Sequence, residues 1–165
     1  MSTLTKDFEA LEVGDRFETR GRTVTEADVA TFAGLTGDMH PQHTDAEWSA
    51  QSRFGERIAH GLLVLSFSAG LVPFDPEVVV AMRGVEDCKF KQPVRFGDTI
   101  HVVGEVREKQ ELDGGHGLVG CRWRVLNQRD KLVMLANVEV VWRRARPAGA
   151  APAAEREPVR EPVLI

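Results

Sequence analysis

In the second half of the chain, apolar residues recur at every other position. Ile100, Val102 and Val106 alternate with polar neighbours; Val119, Cys121, Trp123 and Val125 do the same, as do Met134, Ala136, Val138, Val140 and Trp142. A period of two places such residues on one face of a strand, so these stretches predict three strands with a buried side. The connections LDGGHG at 112–117 and NQRD at 127–130 carry turn chemistry suited to hairpins, which makes the sheet antiparallel. An early strand near 15–24 and shorter ones at 77–82 and 84–91 bring the expectation to five or six strands.

The first half follows a different rhythm. Thr25 with Asp28 three residues later resembles a capping box, Val29, Ala30, Phe32 and Ala33 fall on one helical face, and Gly34 and Gly37 end the run. A second helix is expected over HGLLVLSFSAGLV at 60–72, apolar all round and therefore predicted to be buried, with Pro73 stopping it. An antiparallel sheet wrapped round one buried helix, with short helices beside it, is an α+β arrangement.

Length and composition narrow the function. The 165 residues suit a single domain, and 42% hydrophobic with 28% charged residues is a globular composition. With 21 Lys and Arg against 25 Asp and Glu, a formal net charge of −4, no global field favours a nucleic acid or an anionic membrane. No apolar run is long enough to span a bilayer, and the first residues lack a basic stretch followed by an apolar one, so a cytoplasmic location is expected. Cys88 and Cys121 lie in strand-like surroundings without metal-ligand spacing and read as reduced packing residues. After Arg144 the composition turns to Ala and Pro, which divides the chain into a domain at 1–145 and a tail at 146–165, whose apolar end Val163, Leu164 and Ile165 could dock.

Chemistry concentrates in LTGDMHPQHTD at 35–45, which holds Asp38, His40, His43 and Asp45. A helix would set residues five apart roughly 140° from one another, but Pro41 interrupts regular helix here, and a turn can bring Asp38 and His43 to one point. A carboxylate and an imidazole sharing a water form an acid and base pair for adding or removing water. The same spacing also suits Asp38 capping the turn and His43 capping the next helix; both arrangements satisfy the sequence.

The run Gly37-Asp38-Met39-His40-Pro41-Gln42-His43, then Arg57-Ile58-Ala59-His60-Gly61 opening the apolar helix, then FKQPVRFGD at 90–98, resembles the motifs of the MaoC-like dehydratases, the (R)-specific enoyl-CoA hydratase branch of the hotdog superfamily, over roughly residues 10–143. The resemblance implies a hotdog fold, a homodimer, and interconversion of a trans-2-enoyl thioester with an (R)-3-hydroxyacyl thioester, carried on coenzyme A or an acyl carrier protein, without metal or redox cofactor. Asp38 and His43 would be the catalytic dyad. Gly61, with a helix N-terminal amide, would polarise the thioester carbonyl. His40 stands where the family has Asn, Gln42 where it has an aliphatic residue, and Ala69 where a helix Ser often supports the carboxylate. His40 could brace the turn as a hydrogen-bond donor or alter the proton balance at His43, and Ser66 or Ser68 could supply the missing hydroxyl. His60 reads mainly as a core histidine, with fixing of the helix start as its other role. Lys89, Lys91 and Arg95 are candidates for carrier phosphates or simply solvated flanks, and Arg143, Arg144 and Arg146 read as a sheet-edge run. Rival readings are a hotdog lyase adding another nucleophile, a hotdog thioesterase and a noncatalytic thioester-binding subunit.

Overall fold

The alternating stretches pair as one antiparallel sheet in a computed structural model that describes residues 3–145. Its strands are β1 (Arg16–Glu18), β2 (Arg22–Thr23), β3 (Val79–Phe90), β4 (Thr99–Leu112), β5 (His116–Asn127) and β6 (Leu132–Arg143). They run in the order β1, β4, β5, β6, β3, with β2 also on β4. Met134, Ala136, Val138, Val140 and Trp142 are all buried, as are Val119, Cys121, Trp123 and Val125 of β5. Gly114 and Gly115 take φ of 72° and 75° in the β4–β5 turn, the left-handed conformation that lets a tight hairpin follow the strand twist. The early strand is split into β1 and β2 by one extra residue between Glu18, opposite Val103, and Arg22, opposite Ile100, while Thr19 stays hydrogen-bonded to Val102. The stretches at 77–82 and 84–91 form the single strand β3, with register shifts along its pairing to β6.

Helix α1 (Glu26–Thr36) opens with the Thr25–Asp28 capping box and closes on Gly37 in the left-handed region, while Gly34 lies inside it. Val29 and Ala33 are buried, but Ala30 faces solvent, one position being a 100° step round the helix. Pro41 does not break the chain from helix as expected. It stands at the first position of a short helix, α2 (Pro41–Thr44), where the missing N–H costs nothing. Helix α3 (Ala46–Ala50) follows, capped by Asp45.

Helix α4 (Gly61–Leu71) presses Leu63, Val64 and Leu71 into the core shared with Val102, Trp123 and Val138. Its predicted full burial is not what forms: Leu62 is 62% exposed and Ser66 is exposed, so one side of the helix stays open in the single chain. Arg144, just past β6, pairs with Glu9 of the N-terminal segment at 2.6 Å and with Glu111 of β4 at 2.7 Å; β6 lies between β5 and β3, so the basic run marks the end of an inner strand and not the expected sheet edge. The tail at 146–165, with Arg146 and the apolar end, lies outside the described residues. Both cysteines are free, and burial pushes the Cys121 thiol up to about 12, which makes it unreactive packing.

Candidate active site

Backbone hydrogen bonds bring the three sequence motifs into contact. Ile58 N–H donates to the Gln42 carbonyl at 3.0 Å, and Ala59 N–H donates to the Val94 carbonyl at 2.8 Å. Ile58 also forms an isolated antiparallel bridge with Arg95. The Asp98 carboxylate holds the end of the third motif, accepting from Arg95 N–H at 2.9 Å and from the Gln128 side chain at 2.7 Å. Residues from 37 to 98 thus meet around the N-terminus of α4.

Here His43 is buried, with each ring nitrogen engaged. Nδ1 lies 2.7 Å from the Ile58 carbonyl, and since a carbonyl only accepts, Nδ1 carries the proton. Nε2 therefore holds the lone pair and takes a hydrogen bond from the Gln42 amide nitrogen at 3.0 Å. His60 is buried, stacks on His43 with ring centroids 3.7 Å apart, and donates from Nε2 to the Asp38 carbonyl at 3.0 Å. It also packs on Phe32. These contacts join α1, α2 and α4 and place His60 in the core, but its buried Nδ1 has no hydrogen-bond partner among the described residues, so it is not a fully satisfied core histidine.

A carboxylate oxygen of Asp38 and ring nitrogens of His43 and His60 all fall within 4.8 Å of one another. One water hydrogen-bonded to two groups at about 2.8 Å spans roughly 4.6 Å, so the separation of the Asp38 carboxylate from a His43 ring nitrogen is of the size that one bridging water spans. The Asp38 carboxylate is 52% exposed. A cation would need converging lone pairs, but lone pairs lie in the ring planes, and the stacked rings of His43 and His60 send theirs along neighbouring planes instead. The near-parallel rings thus do not aim two nitrogen lone pairs at one point.

Burial is the main force lowering the proton affinity of His43 below its ordinary 6.5; the charges of His60 and His40 act the same way, while the Ile58 hydrogen bond and Asp38 oppose it. The sign for stability follows. Below pH 6.5 the unfolded chain binds a proton that folded His43 resists, so stability is lost as pH falls through that range. Thermal unfolding between about pH 7.5 and 5.5 should therefore fall more steeply for the native protein than for His43→Gln, and equal slopes would contradict this.

A pocket of about 310 Å³ opens beside this cluster, lined by Gln42, His43, Gly61, Phe90, Lys91 and Arg53 among others. Gly61 is the first residue of α4, so its N–H has no acceptor within the helix. His40 caps α2: its Nδ1 accepts from Gln42 N–H at 3.2 Å, which is what an Asn side chain does at that position. It braces the turn as an acceptor and not as the expected donor, because the group that meets its Nδ1 is a backbone N–H. The Ser66 hydroxyl donates to Leu62 of its own helix at 2.8 Å and Ser68 likewise to Val64 at 2.7 Å, so neither replaces the hydroxyl that Ala69 lacks. Of the three flanking bases only Lys91 lines the pocket; Lys89 pairs with Asp87 at 4.0 Å, and Arg95 with Glu56. Arg53 and Phe54 also line it, unanticipated by the sequence reading. The available signal was an Arg beside a Phe, separated by two residues from the Arg57-to-Gly61 motif.

The fold and the grouping of motifs define a hotdog protein: a Mycobacterium tuberculosis structure described as a double hotdog superposes with a TM-score of 0.75 over 95% of this chain and 53% of its own, at 22% identity. The model of the MaoC like domain matches residues 8–121, and the chain belongs to that family. It is 45% identical over 98 residues to the protein MaoC of Klebsiella aerogenes, covering 59% of this chain but only 29% of that one. It is 36% identical over 93 residues to an (R)-specific enoyl-CoA hydratase of Rhodospirillum rubrum, covering 54% of this chain and 65% of that one. The structure of a monoamine oxidase regulatory protein from Archaeoglobus superposes with a TM-score of 0.80 at 41% identity, over 85% of this chain and 95% of its own. The matches to the two sequence relatives thus leave more than a third of the hydratase and most of the Klebsiella protein uncovered.

Proposed function

We propose that the protein interconverts a trans-2-enoyl thioester and an (R)-3-hydroxyacyl thioester by adding or removing water, with Asp38 and His43 as the acid and base pair and Gly61 N–H as the oxyanion donor. The observation that carries this reading is the tautomer of His43, which leaves the lone pair on Nε2 of a buried imidazole that has a ring nitrogen within 4.8 Å of an Asp38 carboxylate oxygen and lines the same pocket as Gly61 at the start of α4. In hydration the water oxygen bonds C3 while the dyad takes one of its protons. The C2–C3 π electrons move toward the carbonyl, whose oxygen gains charge at the Gly61 amide, and the dyad returns a proton to C2. Atoms balance as water alone. No net oxidation occurs, so the reading calls for no redox cofactor. Lys91 and Arg53 give the pocket rim positive charge suited to the phosphates of a coenzyme A or acyl-carrier-protein thioester. A cytoplasmic site of action fits the two free thiols, and among the described residues no helix is long and apolar enough to cross a membrane.

The same reading includes a homodimer. The outer edge of β3 is unpaired among the described residues, Val80 and Met82 on it are exposed, and Leu62 stands open on α4. A long unpaired edge beside apolar surface is a pairing site, and twofold closure is the commonest solution. Sedimentation at micromolar concentration should give twice the chain mass, and a lone single-chain species would refute the dimer.

The direct test is a panel of enoyl thioesters of graded length on both carriers, read by loss of conjugated-enoyl absorbance and by chiral analysis of the product. The (R)-3-hydroxyacyl thioester is expected in plain buffer. Product formed only with an added amine would favour the lyase reading; release of free thiol would favour the thioesterase.

A further inference from the structure

Gln42 occupies the one acceptor site that a water would need. A neutral imidazole has a single in-plane lone pair on its ring nitrogens, and the Ile58 carbonyl fixes it on Nε2 of His43. The Gln42 amide nitrogen has only hydrogens to offer, so the 3.0 Å contact to Nε2 runs from Gln42 to His43. Turning the amide end over would set an oxygen lone pair against a nitrogen lone pair. Two separate contacts thus agree on one tautomer.

The Gln42 backbone is held from both sides, its N–H by His40 Nδ1 at 3.2 Å and its carbonyl by Ile58 N–H at 3.0 Å. Only the side chain is free to turn. It has somewhere to go: Gln42 also lines a neighbouring depression with Trp48, Gln51 and Ser52.

We propose that Gln42 is a positioning residue that closes the base nitrogen of His43 in the resting protein, and that substrate binding turns its amide toward the neighbouring depression before a water reaches Nε2. The inference rests on the reading of His43 as the base. Donation to Nε2 engages its only lone pair, so the amide and the water exclude one another there. Part of the substrate's binding energy then goes into displacing the amide, and the apparent affinity is reduced by the fraction of open molecules.

The test is Gln42→Met in the full chain, which keeps the length of the side chain and removes the donor. Asp38, His40, His60, Arg53 and Lys91, the titratable and charged groups around His43 and its pocket, stay in place. Diethyl pyrocarbonate attacks an unengaged imidazole nitrogen, and peptide mass analysis follows His43 apart from His40 and His60. A hydrogen bond of ordinary net strength predicts modification of His43 faster by about 2- to 10-fold, and KM on the best thioester lower by a similar factor, with kcat no lower than in the native protein. Gln42→Leu, which carries the aliphatic residue type of the family motif, should behave alike. An unchanged His43 rate in both variants would overturn the proposal. So would a fall in kcat at unchanged KM, or equal acceleration at all three histidines, which would mean a loosened turn. If no thioester is turned over, the hydratase reading fails while the modification rates still decide the Gln42 contact.

Discussion

Asp38→Asn and His43→Gln should each lower kcat for enoyl-thioester hydration by about 10²-fold or more, the range of a general acid or base, while the circular dichroism of the fold is retained. Each substitution keeps the local hydrogen bonding that the turn needs. An Asn at 38 still offers an oxygen to His40 N–H, which now donates to the Asp38 carboxylate at 3.3 Å. A Gln at 43 still has an amide for the Ile58 carbonyl, though with different reach. What both lose is the ability to exchange a proton. The Asp38 carboxylate is half exposed, so its loss costs little stability. The double variant should fall little below the worse single one, because two groups acting on one water are a unit. Near-native rates in both single variants would remove Asp38 and His43 from the chemistry.

Gly61→Ala is the second large effect. A methyl at this position would lie 2.6 to 2.8 Å from three ring carbons of Phe90, closer than carbon atoms approach. Phe90 is 50% exposed, so its ring can swing out and the chain should still fold. The methyl then stands beside the first amide of α4, where a thioester oxygen has to arrive. Losing one oxyanion donor costs about 10²- to 10³-fold in kcat, and a drop of at least 10²-fold is expected here. Gly61→Ala combined with Phe90→Ala separates the two causes. If approach to the amide is what is lost, the double variant stays impaired; recovery to the rate of Phe90→Ala alone would assign the defect to the ring.

Much of this molecule was legible before its structure. The three alternating series became β4, β5 and β6, because a two-residue period with one apolar face has only one way to bury that face. The capping box of α1 and its glycine end were equally local, each needing only residues a few positions apart. The reading failed where neighbours from elsewhere decided. Pro41 is compatible with either a break or a helix start, and the Ile58 and His40 contacts selected the start. Composition could not say which side of α4 is covered, since an all-apolar helix has no favoured face until a sheet packs against one.

The amino-acid sequence by itself determined β4, β5 and β6, the first helix, and the residue types from which an acid and base pair is built at Asp38 and His43. Only the tertiary structure decided which nitrogen of His43 carries a proton, that Gln42 closes the other, that His60 stacks on it, and that Ser66 is spent on its own helix. The physical reason is range. Periodicity and capping are set by covalent neighbours, whereas a tautomer or a closed lone pair depends on atoms that folding brings within about 3 Å from distant parts of the chain.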